Sequence, residues 1–543
     1  MFISPFFRHP SWLALPFILV ATAAMPAADT IFASGFDRSS LPAGTIEFRN
    51  ETSQRFDHLA DSAYRFDAMW TDFNGDGCPD AWIFGHEDPS TSRLWVNRCD
   101  GSNTFVLAGN DVVHYYIGTP LLPRGTGWVT LLDVDGDGRQ DFWTRDADTM
   151  AARYVNGTPS TAAGSLPSFS GKDNACEGGD HCVLADINGD DRIDVVHEDG
   201  SIRDALTGLS LSAATTPGDR APADLDGDGW IDLVQPDAGG YWHNNHGNLE
   251  WRAIPGLAGN TELILVQDLD NDGDYDIFTL GGDNATGEGG PHLYRNNGNT
   301  TFTDVTAASG LAATMPGPGD RPVPVVGFTP YFTNYGNVVV ADLDNDGLQD
   351  LVIAGNKTSP SVTVLRNLGD LRFGTTGVNL GDAASGSDAA KSRAATADFD
   401  NDGRLDILKT QADSNVGLWR NTTNTGSNHW MKVRVRGTGG NSDGIGADLT
   451  WYAAGTDTIL AHMSVQASNQ HPQTWLHTGV GDNAQVDLVV HWPHGGPVQR
   501  YDDLATNQEV IVFPEPAGCI LQHWQPGDGW PLNAPTDCTQ PRR

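Results

Sequence analysis

Apolar residues in this chain come in short blocks, and nowhere do they recur at helical spacing over a long stretch. Seven acid-rich segments are each followed at once by such a block: Ala81-Trp82-Ile83-Phe84, Phe142-Trp143-Thr144, Val195-Val196, Leu233-Val234, Ile277-Phe278, Leu351-Val352-Ile353 and Ile407-Leu408. Blocks this short, β-branched or aromatic and bounded by glycine, predict strands. A second set of apolar segments ends in asparagine: Leu94-Trp95-Val96-Asn97, Tyr154-Val155-Asn156, Tyr241-Trp242-His243-Asn244, Leu293-Tyr294-Arg295-Asn296, Val364-Leu365-Arg366-Asn367 and Leu418-Trp419-Arg420-Asn421. Asparagine with glycine nearby marks a turn. Each unit therefore holds several short strands. Seven such units predict an all-β chain folded as a seven-bladed β-propeller from about Ile46 to Thr425, because a radial ring hides its sheet edges and leaves a central channel.

The acid-rich segments share one spacing. They read DFNGDGCPD from Asp72, DVDGDGRQD from Asp133, DINGDDRID from Asp186, DLDGDGWID from Asp224, DLDNDGDYD from Asp268, DLDNDGLQD from Asp342 and DFDNDGRLD from Asp398. Their starts are 61, 53, 38, 44, 74 and 56 residues apart, as expected of one supersecondary unit with loops of variable length. Calcium takes six to eight hard oxygen ligands. Side-chain oxygens at positions 1, 3 and 5 of a tight loop curl around one point, position 7 offers a carbonyl, and position 9 adds another carboxylate. The expected ligands are Asp72, Asn74, Asp76 and Asp80; Asp133, Asp135, Asp137 and Asp141; Asp186, Asn188, Asp190 and Asp194; Asp224, Asp226, Asp228 and Asp232. The last three loops supply Asp268, Asp270, Asp272 and Asp276; Asp342, Asp344, Asp346 and Asp350; and Asp398, Asp400, Asp402 and Asp406. Up to seven Ca2+ ions are expected. The third loop has Asp191 where the others have the turn-forming glycine, so it must strain or reshape. An EF-hand needs a glutamate at position 12; here that position is Ile83, Thr144, His197, Gln235, Thr279, Ile353 and Lys409.

Charge narrows the partners. The 32 basic and 70 acidic residues leave a net charge of −38, which repels nucleic acid and anionic lipid and favours cations. Glycine and proline together number 63 + 31 = 94, suiting a turn-rich β protein. An apolar run from Trp12 to Ala24, followed by small residues up to Ala28, predicts a secretory signal over residues 1–28. It is shorter than the roughly 20 residues of a membrane span, and no later segment is long and apolar enough to be one. Export fits the six cysteines, whose close pairs Cys78 and Cys99, Cys176 and Cys182, and Cys519 and Cys538 suggest three local disulfides. The expected location is secreted, periplasmic or cell-surface.

The hairpins resemble the FG-GAP or VCBS repeats of integrin-α-like propellers. The stretch from Leu293 through Arg295-Asn296-Asn297-Gly298 to Val305-Thr306, ending Ala308-Ser309-Gly310-Leu311, is similar to the cartilage acidic protein family. In that family a calcium-binding propeller precedes a small ASPIC/UnbV domain. Asn428-His429-Trp430-Met431-Lys432-Val433-Arg434-Val435 resembles the start of that domain, and Asp443-Gly444-Ile445-Gly446-Ala447, His477-Thr478-Gly479-Val480-Gly481 and Val489-Val490-His491-Trp492-Pro493 continue it. The resemblance covers roughly 46–515. On its own pattern, residues 428–515 read as a compact β domain: Met431, Val433 and Val435 alternate with Lys432, Arg434 and Arg436. A Pro/Gly-rich tail follows over 516–543.

No HExxH motif is present, and Gly437-Thr438-Gly439-Gly440 opens no helix, so it is no nucleotide loop. His471, His477, His491 and His494 gather near Ser464 and Ser468, but a solvated or structural histidine is commoner than a catalytic one. The expected function is a secreted, calcium-stabilised binding or adhesion module without catalysis, with an extracellular protein or glycan as ligand. The alternative is an exported propeller lyase or hydrolase acting on glycans. The longest gap between motifs, Asp276 to Asp342, holds Arg321, Phe328, Tyr331, Phe332 and Tyr335 in a Pro/Gly-rich stretch, expected to be either a lid or a ligand-contacting loop.

Overall fold

The computed structural model describes residues 44–56, 65–72, 76–85, 93–107, 129–133, 141–144, 152–156, 169–173, 182–257, 261–281, 291–311, 337–354, 362–376, 378, 380, 392–411, 416–468, 475–514, 517–524 and 538–539. The expected signal over 1–28, the aromatic stretch with Arg321 and Phe328 to Tyr335, Cys176 and His471 lie outside these residues. The described residues are nearly all strand, with helix confined to Thr52–Arg55 and a 3-10 turn at Pro236–Ala238.

Six four-stranded antiparallel blades follow one another over 65–107, 129–173, 183–214, 221–253, 261–304 and 337–375. The seventh takes three strands from 392–421, and its outer strand is β1 (Phe48–Asn50), which pairs Phe48 with Asn421 and Asn50 with Trp419. The earliest described strand thus completes the last blade and closes the ring. The first strand of each blade is innermost. Trp70, on the first strand of blade 1, stacks on Phe399 at 6.3 Å and donates its indole N–H to the Ala395 carbonyl of blade 7.

The short apolar blocks are explained by burial on both faces. In Thr261–Gln267, Leu263 and Leu265 pack toward blade 6, while Ile264 and Val266 pack toward blade 4. The core is therefore a set of layers between neighbouring blades, and each strand is apolar on both sides rather than alternating. The disulfides Cys78–Cys99 and Cys519–Cys538 are present, and Cys182 is disulfide-bonded as well.

After the ring, residues 430–524 form two further four-stranded sheets. One has strand order Trp475–Gly479, Trp430–Val435, Gln508–Phe513, Cys519–Trp524, with Trp430–Val435 and Gln508–Phe513 parallel. The other orders Ile459–Ser464, Asp448–Ala453, Gln485–His491, Val498–Ala505. Met431, Val433, Trp451, Leu488, Val490 and Val510 fill the layer between them. That layer is continuous with Leu132, Leu184, Ile193 and Val195 of blades 2 and 3, so the second domain shares a core with the ring. Its segment at Ala467–Ser468 pairs with the innermost strand of blade 3 (Leu184↔Ala467), and Gln466 donates its side-chain N–H to the Val266 carbonyl on the innermost strand of blade 5. A segment touching the inner strands of two non-adjacent blades sits in the central channel.

Candidate metal centre

Each acidic motif is the hairpin between the first and second strands of its blade, so all the motifs lie at one end of the ring. Asn74, Asp135 and Asp137 lie outside the described residues, and Asp141 is placed as the first residue of a strand. The other expected ligands converge loop by loop, and the backbone builds the same cage each time. The position-1 carboxylate accepts the position-6 N–H: Gly77 to Asp72 at 2.9 Å, Asp191 to Asp186 at 2.8 Å, Gly229 to Asp224 at 2.7 Å, Gly273 to Asp268 at 2.9 Å, Gly347 to Asp342 at 2.7 Å and Gly403 to Asp398 at 2.8 Å. The position-5 carboxylate accepts the position-7 N–H, as in Leu348 to Asp346 at 3.0 Å. The chain turns back on itself through left-handed residues at position 6, with φ from 84° to 94° at Gly77, Gly229, Gly273, Gly347 and Gly403. Position 4 is left-handed as well, at Gly189, Gly227, Asn271, Asn345 and Asn401. This explains why only glycine or asparagine occurs there, since these residues best tolerate that region.

Loop 3 keeps the same path despite Asp191, which takes φ 61°. Asp191→Gly removes the strain of a Cβ in that conformation and is expected to stabilise the protein by about 1 kcal/mol. Denaturant unfolding would register this as a higher midpoint at unchanged slope, and a lower midpoint would contradict it.

The position-9 aspartates, at 0% exposure in the loops of blades 1 and 3 to 7, also tie neighbouring strands together. In five blades the carboxylate accepts the N–H of the asparagine ending the third strand: Asn97 to Asp80 at 2.8 Å, Asn244 to Asp232 at 2.7 Å, Asn296 to Asp276 at 3.0 Å, Asn367 to Asp350 at 2.8 Å and Asn421 to Asp406 at 2.7 Å. Those asparagine side chains then donate to a carbonyl in the loop of the preceding blade: Phe399, Ile187, Leu225, Leu269 and Leu343 in the same order. The recurring asparagine, read from sequence as a turn marker, is a stitch between neighbouring blades. Asn367→Ala would leave the Leu269 and Gln349 carbonyls and the Gly369 N–H without their partner. Stranding buried groups costs about 1–3 kcal/mol each, so a fall of several °C in melting temperature is expected. A shift within error would remove the stitch from the account.

The donor set fits a hard dication. Burial, reinforced by neighbouring carboxylates, pushes Asp270 up to about 6, Asp344 to about 7, Asp232 to about 8 and Asp276 to about 9. Buried Oδ1 atoms of Asp270, Asp344 and Asp400, at position 3 of loops 5, 6 and 7, accept no hydrogen bond among the described residues. Buried anionic oxygens crowded in one loop and lacking donors are what an oxygen-seeking cation would satisfy.

The second domain sits on this end of the ring and touches loops 2 to 7. Arg434 lies in the field of Asp72 of loop 1, while the Asp133 N–H of loop 2 donates to Asp443 at 2.7 Å and Ser442 donates to the Asp133 carboxylate at 2.5 Å. His494 stands 3.5 Å from the Asp186 carboxylate of loop 3 and donates its backbone N–H to Gly229 of loop 4 at 2.7 Å. At loop 5, His462 stacks on Tyr275 at 4.6 Å and bridges Asp268 at 3.4 Å and Asp448 at 2.7 Å. Burial opposes protonation of that imidazole, but Asp448 and Asp268 outweigh it and raise its pKa to about 10. The Gly479 N–H donates to Asp342 of loop 6 at 2.9 Å, Trp430 packs on Gly403 of loop 7, and Asp398 lies in the field of Lys432. In the alternation of Lys432 and Arg434 with Met431 and Val433, the apolar face fills the domain core, while Lys432 stands 3.2 Å from Glu509 and Arg434 3.7 Å from Asp443 of the same domain.

The histidines named with Ser464 and Ser468 part ways. Ser464 accepts from Gln466 at 2.8 Å, His477 is buried against Trp430 with burial holding its pKa at about 3, His494 belongs to loops 3 and 4, and His491 is exposed.

Comparison with known proteins agrees with this architecture. The model for the FG-GAP-like repeat matches residues 72–144, 268–353 and 342–409, and that for ASPIC and UnbV matches 437–518. The chain thus carries FG-GAP-like repeats followed by an ASPIC/UnbV domain, on an all-β propeller. No curated protein is significantly similar in sequence. Among solved structures, an Agrocybe aegerita lectin that recognises non-reducing terminal N-acetylglucosamine is 18% identical, covers 65% of this chain and 86% of its own, and has a TM-score of 0.39. The V. cholerae biofilm matrix protein Bap1 is 14% identical over 85% of this chain and 71% of its own, with a TM-score of 0.27. The WD40 domain of Toxoplasma gondii coronin is 9% identical over 70% and 86%, with a TM-score of 0.34.

Proposed function

We propose that this protein is an exported, calcium-stabilised binding module without catalysis, of the cartilage acidic protein type, which recognises an extracellular protein or glycan. The observation that carries this reading is the division of the ring into two ends. One end holds the carboxylate loops and is covered by the second domain, which touches loops 2 to 7. Ions placed there serve the architecture. The position 1, 3, 5 and 9 oxygens would hold each ion, and its chemistry there is charge compensation. Strands 2 and 3 of each blade join at the opposite end, as do strand 4 and the next blade's first strand. The longest connections, 108–128 and 305–336, leave the described strands at that end. Loops on a rigid scaffold carry recognition, so the ligand is expected there.

The test is a glycan array and a panel of extracellular proteins probed with the full chain in calcium and again in chelator. Saturable binding to one class in calcium, lost on chelation, supports the reading. Cleavage of arrayed glycans would replace it with an enzyme, and binding unchanged by chelation would detach recognition from calcium.

A further inference from the structure

Blades 4 to 7 are not alike at the residue just before the stitching asparagine, whose side chain reaches into its own loop. In blades 5, 6 and 7 it is an arginine. The guanidinium of Arg295 lies 2.6 Å from Asp270, that of Arg366 is 2.6 Å from Asp344, and that of Arg420 is 2.5 Å from Asp400. Each arginine covers the position-3 carboxylate, whose side chain is only 7%, 0% and 1% exposed in the three loops. In blade 4 the same position is His243, itself 6% exposed. Its Nδ1 stands 3.2 Å from Asp232 Oδ1 and 3.4 Å from Asp226 Oδ2. A permanent cation is thereby replaced by a nitrogen donor.

We propose that loop 4 is a mixed nitrogen–oxygen site for a transition-metal dication of the zinc class, held by His243, Asp226 and Asp232, where blades 5 to 7 place an arginine. The proposal rests on the reading that these loops hold divalent cations and assigns one of them a different ion.

Three observations carry it. Tetrahedral zinc bonded at about 2.0–2.1 Å to nitrogen and oxygen sets its ligand atoms about 3.3 Å apart, and the two spacings at Nδ1 straddle that value. Asp224, Asp226 and Asp228 bring further oxygens within 4.8 Å of one another, so a fourth ligand is at hand. The site is also reachable: the Asp226 side chain is 22% exposed, and the nearest arginine, Arg252, stands at the rim 3.8 Å away with a 39% exposed side chain. An ion entering loop 4 therefore has no guanidinium in hydrogen-bond contact with the position-3 carboxylate to displace. Imidazole suits zinc, copper and nickel, whereas calcium takes oxygens, so His243 turns the site away from calcium. Asp232 Oδ1 already accepts the Asn244 N–H at 2.7 Å, and a carboxylate oxygen has a second lone pair for a metal.

The test uses the full chain, stripped with chelator and returned to about 1 mM calcium so that oxygen-only loops are filled. It is then titrated with zinc chloride by calorimetry, and with cobalt(II) read by visible absorption. One zinc per chain is expected to bind in the presence of calcium, with cobalt giving the intense bands of a low-coordinate nitrogen–oxygen site. His243→Arg, which copies blades 5 to 7, should lose that equivalent and those bands, as should His243→Asn. Calcium uptake by the other loops should stay unchanged in both variants. Equal zinc uptake by the parent and both variants would place zinc at other histidines and overturn the proposal. So would zinc failing to bind against calcium, which would leave His243 with an imidazole–carboxylate hydrogen bond only. If calcium itself does not bind, the calcium reading fails separately, and the zinc titration still decides loop 4.

Discussion

Chelation is expected to lower the melting temperature by more than about 10 °C, with millimolar calcium restoring it. The size follows from mass action: an ion at a thousandfold excess over its Kd stabilises the folded chain by about 4 kcal/mol per site. Several sites together approach or exceed the whole stability of an ordinary domain, about 5–15 kcal/mol. The structure gives the reason for the loss. Without an ion, Asp342, Asp350 and Asp406 are buried carboxylates beside other carboxylates, their pKa values raised by burial first and by like charge second. They must then remain protonated, repel one another or open the loop. Seven divalent ions would also move the formal charge from −38 by 14 to −24, easing repulsion across the whole chain. Calorimetric scans in calcium and in chelator decide the matter, and superimposable scans would sink the calcium reading. Because the position-9 aspartates of five blades also hold their interblade asparagines, the transition should stay cooperative rather than release one blade at a time.

A chain truncated after Gly426 is expected to be largely insoluble, and any soluble fraction should melt at least about 10 °C lower than the full chain. The second domain is part of the ring's packing. Removing it strips the cover from Leu132, Leu184, Ile193 and Val195, which lie in one cluster with Met431, Val433 and Trp451. Exposing a large apolar side chain costs roughly 1.5–3 kcal/mol, so the four together rival the total stability of a domain. The same cut removes Ser442 and Asp443 from loop 2, His462 from loop 5 and the Gly479 N–H from loop 6. Ion stoichiometry in a soluble fraction should therefore fall below that of the full chain, as direct metal analysis would read. A soluble, monomeric ring with the parent's melting temperature would show that the cover is dispensable.

Local pattern made much of this protein legible in the sequence. The period of the acidic motif, the strand-forming blocks behind it and the absence of helical spacing were enough for the blade count and the all-β class. Short-range geometry governs those features: a nine-residue loop with glycine at its turn closes on itself wherever it is placed, as the left-handed Gly273 and Gly347 illustrate. The disulfides Cys78–Cys99 and Cys519–Cys538 follow from proximity along the chain for the same reason. Tertiary structure alone decided what joins residues far apart. Closure of the ring by Phe48–Asn50, the reach of Asn367 back to Leu269 and the placing of Arg366 on Asp344 depend on blades meeting in space. So does the seating of the second domain, in which His494 meets a loop 308 residues earlier. A repeated asparagine reads as a turn in one dimension; its second role exists only where a neighbouring blade offers a carbonyl. The alternation of Lys432 and Arg434 with Met431 and Val433 showed a strand with two unlike faces, but only the fold determined that the basic face would meet Glu509 and Asp443, because charge seeks its partner through space rather than along the chain.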